Sequence, residues 1–142
     1  MVFRAVTTAI ALACSAYLAP AAMAFSHAGD HAEVYIISPA DGAEVSNPVT
    51  VVFGLKGMGV APAGTDKPNT GHHHLLIDTD LPPLDENIPA DEHHMHFGGG
   101  QTQVTLDLVP GKHTLQLLLG DMNHIPHDPA VYSRKITITV KE

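Results

Sequence analysis

The sequence predicts an all-β domain, specifically an immunoglobulin-like β-sandwich of about seven strands with long loops. Two observations carry that expectation. Short runs of β-branched or alternating apolar residues recur along the chain, each bounded by Pro, Gly, Asn or Asp. No segment keeps its apolar residues at helical spacing.

The strands follow in order. Val34 to Ile37 is a first apolar run, stopped by Ser38-Pro39-Ala40-Asp41-Gly42. Asn47-Pro48 introduces the β-branched run Val49 to Phe53, and Gly and Pro then dominate a long loop from Gly54 to Asn69. A third strand covers roughly His73 to Asp78. A second long loop, Thr79 to Gly100, is rich in proline and acidic residues and ends in three glycines. Beyond it, Thr102 to Leu108 and His113 to Leu119 are joined by the turn Val109-Pro110-Gly111-Lys112. Val104, Leu106 and Leu108 share one face of the first of these, and Leu115, Leu117 and Leu119 one face of the second. A last strand, Val131 to Val140, alternates Ile136, Ile138 and Val140 with threonine.

Residues 1–24 have the layout of a secretory signal. A single positive charge at Arg4 precedes an apolar stretch from Ala5 to Leu18, and Ala22-Met23-Ala24 supplies small residues at the cleavage positions. The stretch is too short for a bilayer-spanning helix, and no later segment qualifies. A lipoprotein reading at Cys14 is the weaker alternative, because Ala11 replaces the usual leucine. The expected organisation is therefore a leader over 1–24, a mobile N-terminal arm over 25–33 and one β-sandwich domain over 34–142, in the periplasm. The only cysteine leaves with the leader, so the domain must be held by its core. The net charge of −8, without a basic patch, argues against nucleic acid and anionic membranes as partners.

Histidine is the compositional anomaly: eleven are present, against seven Lys and Arg. They fall in clusters at His27 and His31, His72-His73-His74, His93-His94-Met95-His96, and His124-Ile125-Pro126-His127, with His113 alone. Imidazole is the commonest metal-binding side chain and suits copper, zinc and nickel. In the expected sandwich, the loops before the third strand, before the fourth strand and before the last strand gather at one end. Three clusters therefore converge there, with the start of the first strand and its arm nearby. Strand parity puts His72 and His74 on one face and His73 on the other, and lets His94 and His96 point together. The candidate metal ligands are His72, His74, His94, His96, His124, His127 and His27, with His73 and His93 in reserve. His113 is expected to be structural, at a corner before its strand. Any single cluster also reads as an exposed polar patch.

Cleavage after Ala24 would make His27 the third residue of the mature chain. An α-amine, two backbone amides and that imidazole would then form a planar four-nitrogen set suited to Cu(II) or Ni(II). Nitrogen-rich sites bind Cu(II) most tightly among common divalent ions, so copper is the expected metal and zinc the alternative. The acidic residues Asp78, Asp80, Asp85, Glu86, Asp91 and Glu92 lack calcium-loop spacing and read as a solvated loop.

Long motifs carry a family resemblance: Lys67-Pro-Asn-Thr70, Gly71-His-His-His-Leu-Leu-Ile-Asp78, His96-Phe-Gly-Gly-Gly-Gln-Thr102, Pro110-Gly-Lys-His-Thr-Leu-Gln116, and Gly120-Asp121 through His124-Ile-Pro-His-Asp-Pro129. Together they resemble a bacterial exported family of unknown function. The resemblance implies export and an all-β domain and implies no activity. The expected function is a periplasmic histidine-rich protein that binds a transition metal, with Cu(II) the expected ion, for buffering, delivery or tolerance. It would be without enzymatic activity and would work with a periplasmic metal donor or acceptor. The competing expectation is an envelope interaction module that needs no metal. No nucleophile–base pair suggests an enzyme.

Overall fold

The computed structural model describes residues 25–142; the leader read over residues 1–24, with Cys14, lies outside them. The chain is all-β: β1 (Glu33–Ser38), β2 (Glu44–Val45), β3 (Val49–Lys56), β4 (Gly59–Val60), β5 (Thr70–Ile77), β6 (His94–His96), β7 (Gln103–Leu106), β8 (Gly111–Gly120) and β9 (Ile136–Val140). The main apolar runs all become strands. The very short β2, β4 and β6 come from segments that read as loop or turn.

Two sheets form. The smaller has order β1-β3-β7, all antiparallel. The larger has order β2-β9-β8-β5-β4, with β6 also on β5. The outer edge of β5 is shared: β4 pairs in parallel with Thr70 and Gly71, and β6 pairs antiparallel with His74 to Leu76. Every residue of β5 from Gly71 to Ile77 is consequently buried.

The core lies between the sheets. Val34, Val49, Val51 and Phe53 from the smaller sheet meet Leu75, Ile77, Leu115, Leu117, Leu119, Ile136, Ile138 and Val140 from the larger. Each large side chain buried here contributes about 2 kcal/mol. The period-two pattern seen in the sequence sets these inward faces. The final strand is shorter than its apolar pattern. Val131 to Ser133 does follow β8, through Leu119 N–H to Val131 O and Ser133 N–H to Leu117 O, but regular pairing resumes only at Ile136.

The opposite face of the larger sheet is covered as well. Leu76 and Leu118 point outward and are capped by Ile88, Leu81 and Leu84 of the long acidic loop, making a second small apolar cluster. That loop therefore packs as a flap over the sheet rather than standing free in solvent. The segment expected as a mobile arm is also tied down. His27 bridges to Asp128, Ala28 is buried, and the Ser26 hydroxyl donates to Asp121 at 2.9 Å.

Candidate metal centre

His72 and His74 alternate with core-facing His73 and Leu75 along β5, so their rings leave the outer face of the larger sheet. Antiparallel register sets His96 of β6 directly opposite His74, which puts its ring on the same face. His124 arrives from the turn after β8. Four imidazoles meet there: ring centroids are 4.8 Å apart for His72–His74, 5.0 Å for His72–His96 and 5.1 Å for His72–His124. The remaining pairs are 5.1 Å for His74–His96, 6.3 Å for His74–His124 and 4.7 Å for His96–His124. One nitrogen each from His72, His74 and His96 lies within 4.8 Å of the other two, a spacing that could hold a metal ion.

Two glycines make the room. A Cβ at Gly120, the partner of His72 across β8, would sit 2.8 Å from Cε1 of His74. A Cβ at Gly98 would sit 2.3 Å from Cε1 of His96. Either side chain would need space that an imidazole already fills. The turn carrying His124 is fixed by buried Asp121, whose carboxylate accepts the N–H groups of Asn123 and Ile125 and the Ser26 hydroxyl. His124 itself has φ 66°, a left-handed conformation that costs a non-glycine residue on the order of 1 kcal/mol, so the turn is held against strain.

The electrostatics favour ligation. Both ring nitrogens of His72 and Nδ1 of His74 are buried without a hydrogen-bond partner, a state that ordinarily costs free energy and calls for an explanation. Burial, followed by the neighbouring imidazoles, pushes the His72 pKa down to about 4 and that of His74 down to about 3. Burial and His124 also lower that of His96. His72 and His74 are therefore neutral at physiological pH, with lone pairs available, which is the form that binds metals. His96 is exposed and opens the cluster to solvent.

The other candidate histidines lie apart from these four rings. His94 is on the same face but opposite Leu76, with Nδ1 2.8 Å from the Asp91 carboxylate. His93 donates to the Ile77 carbonyl from Nδ1 at 2.8 Å. His127 packs beneath Gly71, where a Cβ would lie 2.8 Å from its Cε1, and its Nε2 donates to Thr70 O at 3.1 Å. Gly71 faces away from His72, so His127 belongs to the other side of β5. His27 is exposed and lines a separate polar cleft with His127, Asp66 and Lys67. His73 faces the core against Phe53, with ring centroids 5.2 Å apart and neither nitrogen hydrogen-bonded. His113 bridges two elements, donating from Nδ1 to Asp78 at 2.7 Å and from Nε2 to Val109 O at 2.8 Å.

The roles of Gly120, Gly98 and Asp121 did not emerge from sequence reasoning. The only signal for them was a Gly-Asp pair leading into a histidine turn and a glycine run following His96. A cleft of about 550 Å³ is lined by Phe25, Leu84, Asp85, His127 and Tyr132 among others and includes none of the four rings.

No curated protein and no solved structure matches the chain. Residues 51–141, which carry all four clustered histidines, match the family described as Domain of unknown function (DUF4399), and the chain belongs to that family.

Proposed function

We propose that this is an exported, periplasmic protein that binds one first-row transition metal ion through His72, His74, His96 and His124. Its role would be buffering, delivery or tolerance rather than catalysis. The observation that supports the reading best is the gathering of four imidazoles on one face of a sheet, two of which, His72 and His74, have buried nitrogens without a hydrogen-bond partner. A bland polar patch would leave its nitrogens in water or hydrogen-bonded; the His72 and His74 rings are instead desolvated, with His96 and His124 gathered against them. A donor set made only of nitrogen ranks copper first and zinc second. Export rests on the leader-like residues 1–24. Exposed His96 offers the route by which an ion passes to or from a periplasmic donor or acceptor.

Equilibrium dialysis against copper and zinc, followed by metal analysis, tests the reading. One ion retained per chain at micromolar concentration, and lost in the His72→Ala/His74→Ala double variant, is expected. No retention of either metal would overturn it. An envelope interaction module would instead keep its partner after complete chelation.

A further inference from the structure

Resting on that metal-binding reading, the shape of the four-ring cluster also specifies which ions fit it. With a metal–nitrogen distance of about 2.0 Å, the metal stands about 3.2 Å from the centroid of each imidazole it binds. Four rings around a tetrahedral ion then have all six centroid separations near 5.2 Å, roughly the same for every pair. Around a square-planar ion, four separations fall to about 4.5 Å, while two that share no ring rise to about 6.4 Å.

The observed set has five separations between 4.7 and 5.1 Å and one of 6.3 Å. If His74 and His124 are taken as one square-planar diagonal, the other must be His72–His96, and that pair is only 5.0 Å apart. Flattening the cluster would require those two rings to separate by about 1.4 Å. The architecture opposes this. His72 is fully buried on a strand hydrogen-bonded along both edges, and the His96 ring occupies the space over Gly98. A tetrahedral ion asks for less: the His74–His124 edge closes by about 1 Å, a movement available to a turn residue.

We propose that the site selects ions with a filled d shell, Cu(I) or Zn(II), over Cu(II) and Ni(II). Such ions have no d-electron preference that a tetrahedral cage would frustrate, whereas Cu(II) and Ni(II) gain from tetragonal nitrogen geometry. Copper is therefore carried in its reduced state, and zinc is the divalent competitor. The planar amine–amide–His27 set, if formed at the mature N-terminus, has the opposite preference and would mask the effect.

The test uses the full exported chain carrying His27→Ala, which removes only that planar set. Affinities are measured by chelator competition for Cu(I) under ascorbate without oxygen, for Cu(II) in air, and for Zn(II) and Ni(II). Cu(I) is expected to bind at least 100-fold more tightly than Cu(II), which raises the potential of the bound couple by about 120 mV. Zn(II) is expected to exceed Ni(II) by a similar factor. Zn(II) selectivity without Cu(I) selectivity assigns the site to zinc and overturns the copper half. Cu(II) bound as tightly as Cu(I), with a tetragonal spin-resonance spectrum, together with Ni(II) matching Zn(II), overturns the inference and leaves metal binding intact. Retention of no ion overturns both.

Discussion

Replacing Gly120 with alanine perturbs the cluster without replacing a ligand. Gly120 has no left-handed φ that would forbid a side chain, so the effect is steric alone. The new Cβ would lie 2.8 Å from His74 Cε1, 3.2 Å from its Nδ1 and 3.2 Å from Ile88 Cδ1. Carbon atoms pack at about 3.5–4.0 Å, so the His74 ring must retreat by about 0.7–1.2 Å. His74 is 1 % exposed and its strand is held on both sides, leaving little space for that retreat. Metal–nitrogen distances tolerate only about ±0.2 Å. A ring displaced several times that far should lower metal affinity about 10- to 100-fold, as the loss of an orienting neighbour does elsewhere. Overpacking should also cost about 1–3 kcal/mol of stability. Chelator competition and urea denaturation, run on the same preparations, separate the two effects. A variant that folds normally and binds metal with unchanged affinity would refute the claim that His74 is a ligand held in a fixed place.

Three further changes follow from the same structure. His73→Leu removes a core imidazole whose nitrogens have no partner and whose pKa burial pushes down to about 4, against the opposing influence of the Gln101 backbone. It should leave stability unchanged or raise it by about 1 kcal/mol. Metal affinity should stay the same, because the ring faces the core; urea melts and dialysis check both. Asp121→Ala strips the His124 turn of its acceptor and should cost about 3 kcal/mol while weakening metal binding, read by the same pair of assays. The His113–Asp78 pair gives a pH signature. For His113, burial opposes the charge, but the Val109 carbonyl and Asp78 outweigh it and raise the pKa. For Asp78, burial is again outweighed, by His113 and the Thr114 amide, and the pKa falls. The His113 contribution is complete below its unfolded pKa of about 6.5 and fades as pH rises through the folded value. The Asp78 contribution is complete above about 3.9 and fades as pH falls through its folded value. His113→Gln should therefore destabilise most between about pH 4 and 6.5, by about 1 kcal/mol given the partial exposure of Asp78, and less on either side. A pH series of denaturation midpoints reads this directly.

Period-two patterning was enough to place the long strands, because β1, β3, β5, β8 and β9 each send one apolar face into the same core. It also placed His72 and His74 on a common face. Strict alternation alone leaves the outer face of β8 open to solvent, yet that face is buried too. Leu118 on β8 and Leu76 on β5 break the alternation and signal an outer face that needs covering; that the acidic loop is the cover emerges only from the packing of Ile88, Leu81 and Leu84. The convergence of histidines was expected among loops at one end of the sandwich. It does lie towards that end, where His72 pairs with Gly120, but on the outer face of the larger sheet. His96 joins through a three-residue strand whose register with His74 is a tertiary fact that no local pattern encodes. His127 and His124 are three residues apart in the same turn, yet one packs under Gly71 and the other meets the rings. In a turn, spacing does not fix direction, so the sequence could not separate them.

The most direct measurement is X-ray absorption at the metal edge of the loaded protein, paired with metal stoichiometry in the wild type and in His72→Ala/His74→Ala. The account predicts one ion per chain, four imidazole nitrogens at about 2.0 Å, and loss of the ion in the double variant. An ion surrounded by oxygen or sulfur, or one retained unchanged when His72 and His74 are gone, would contradict it.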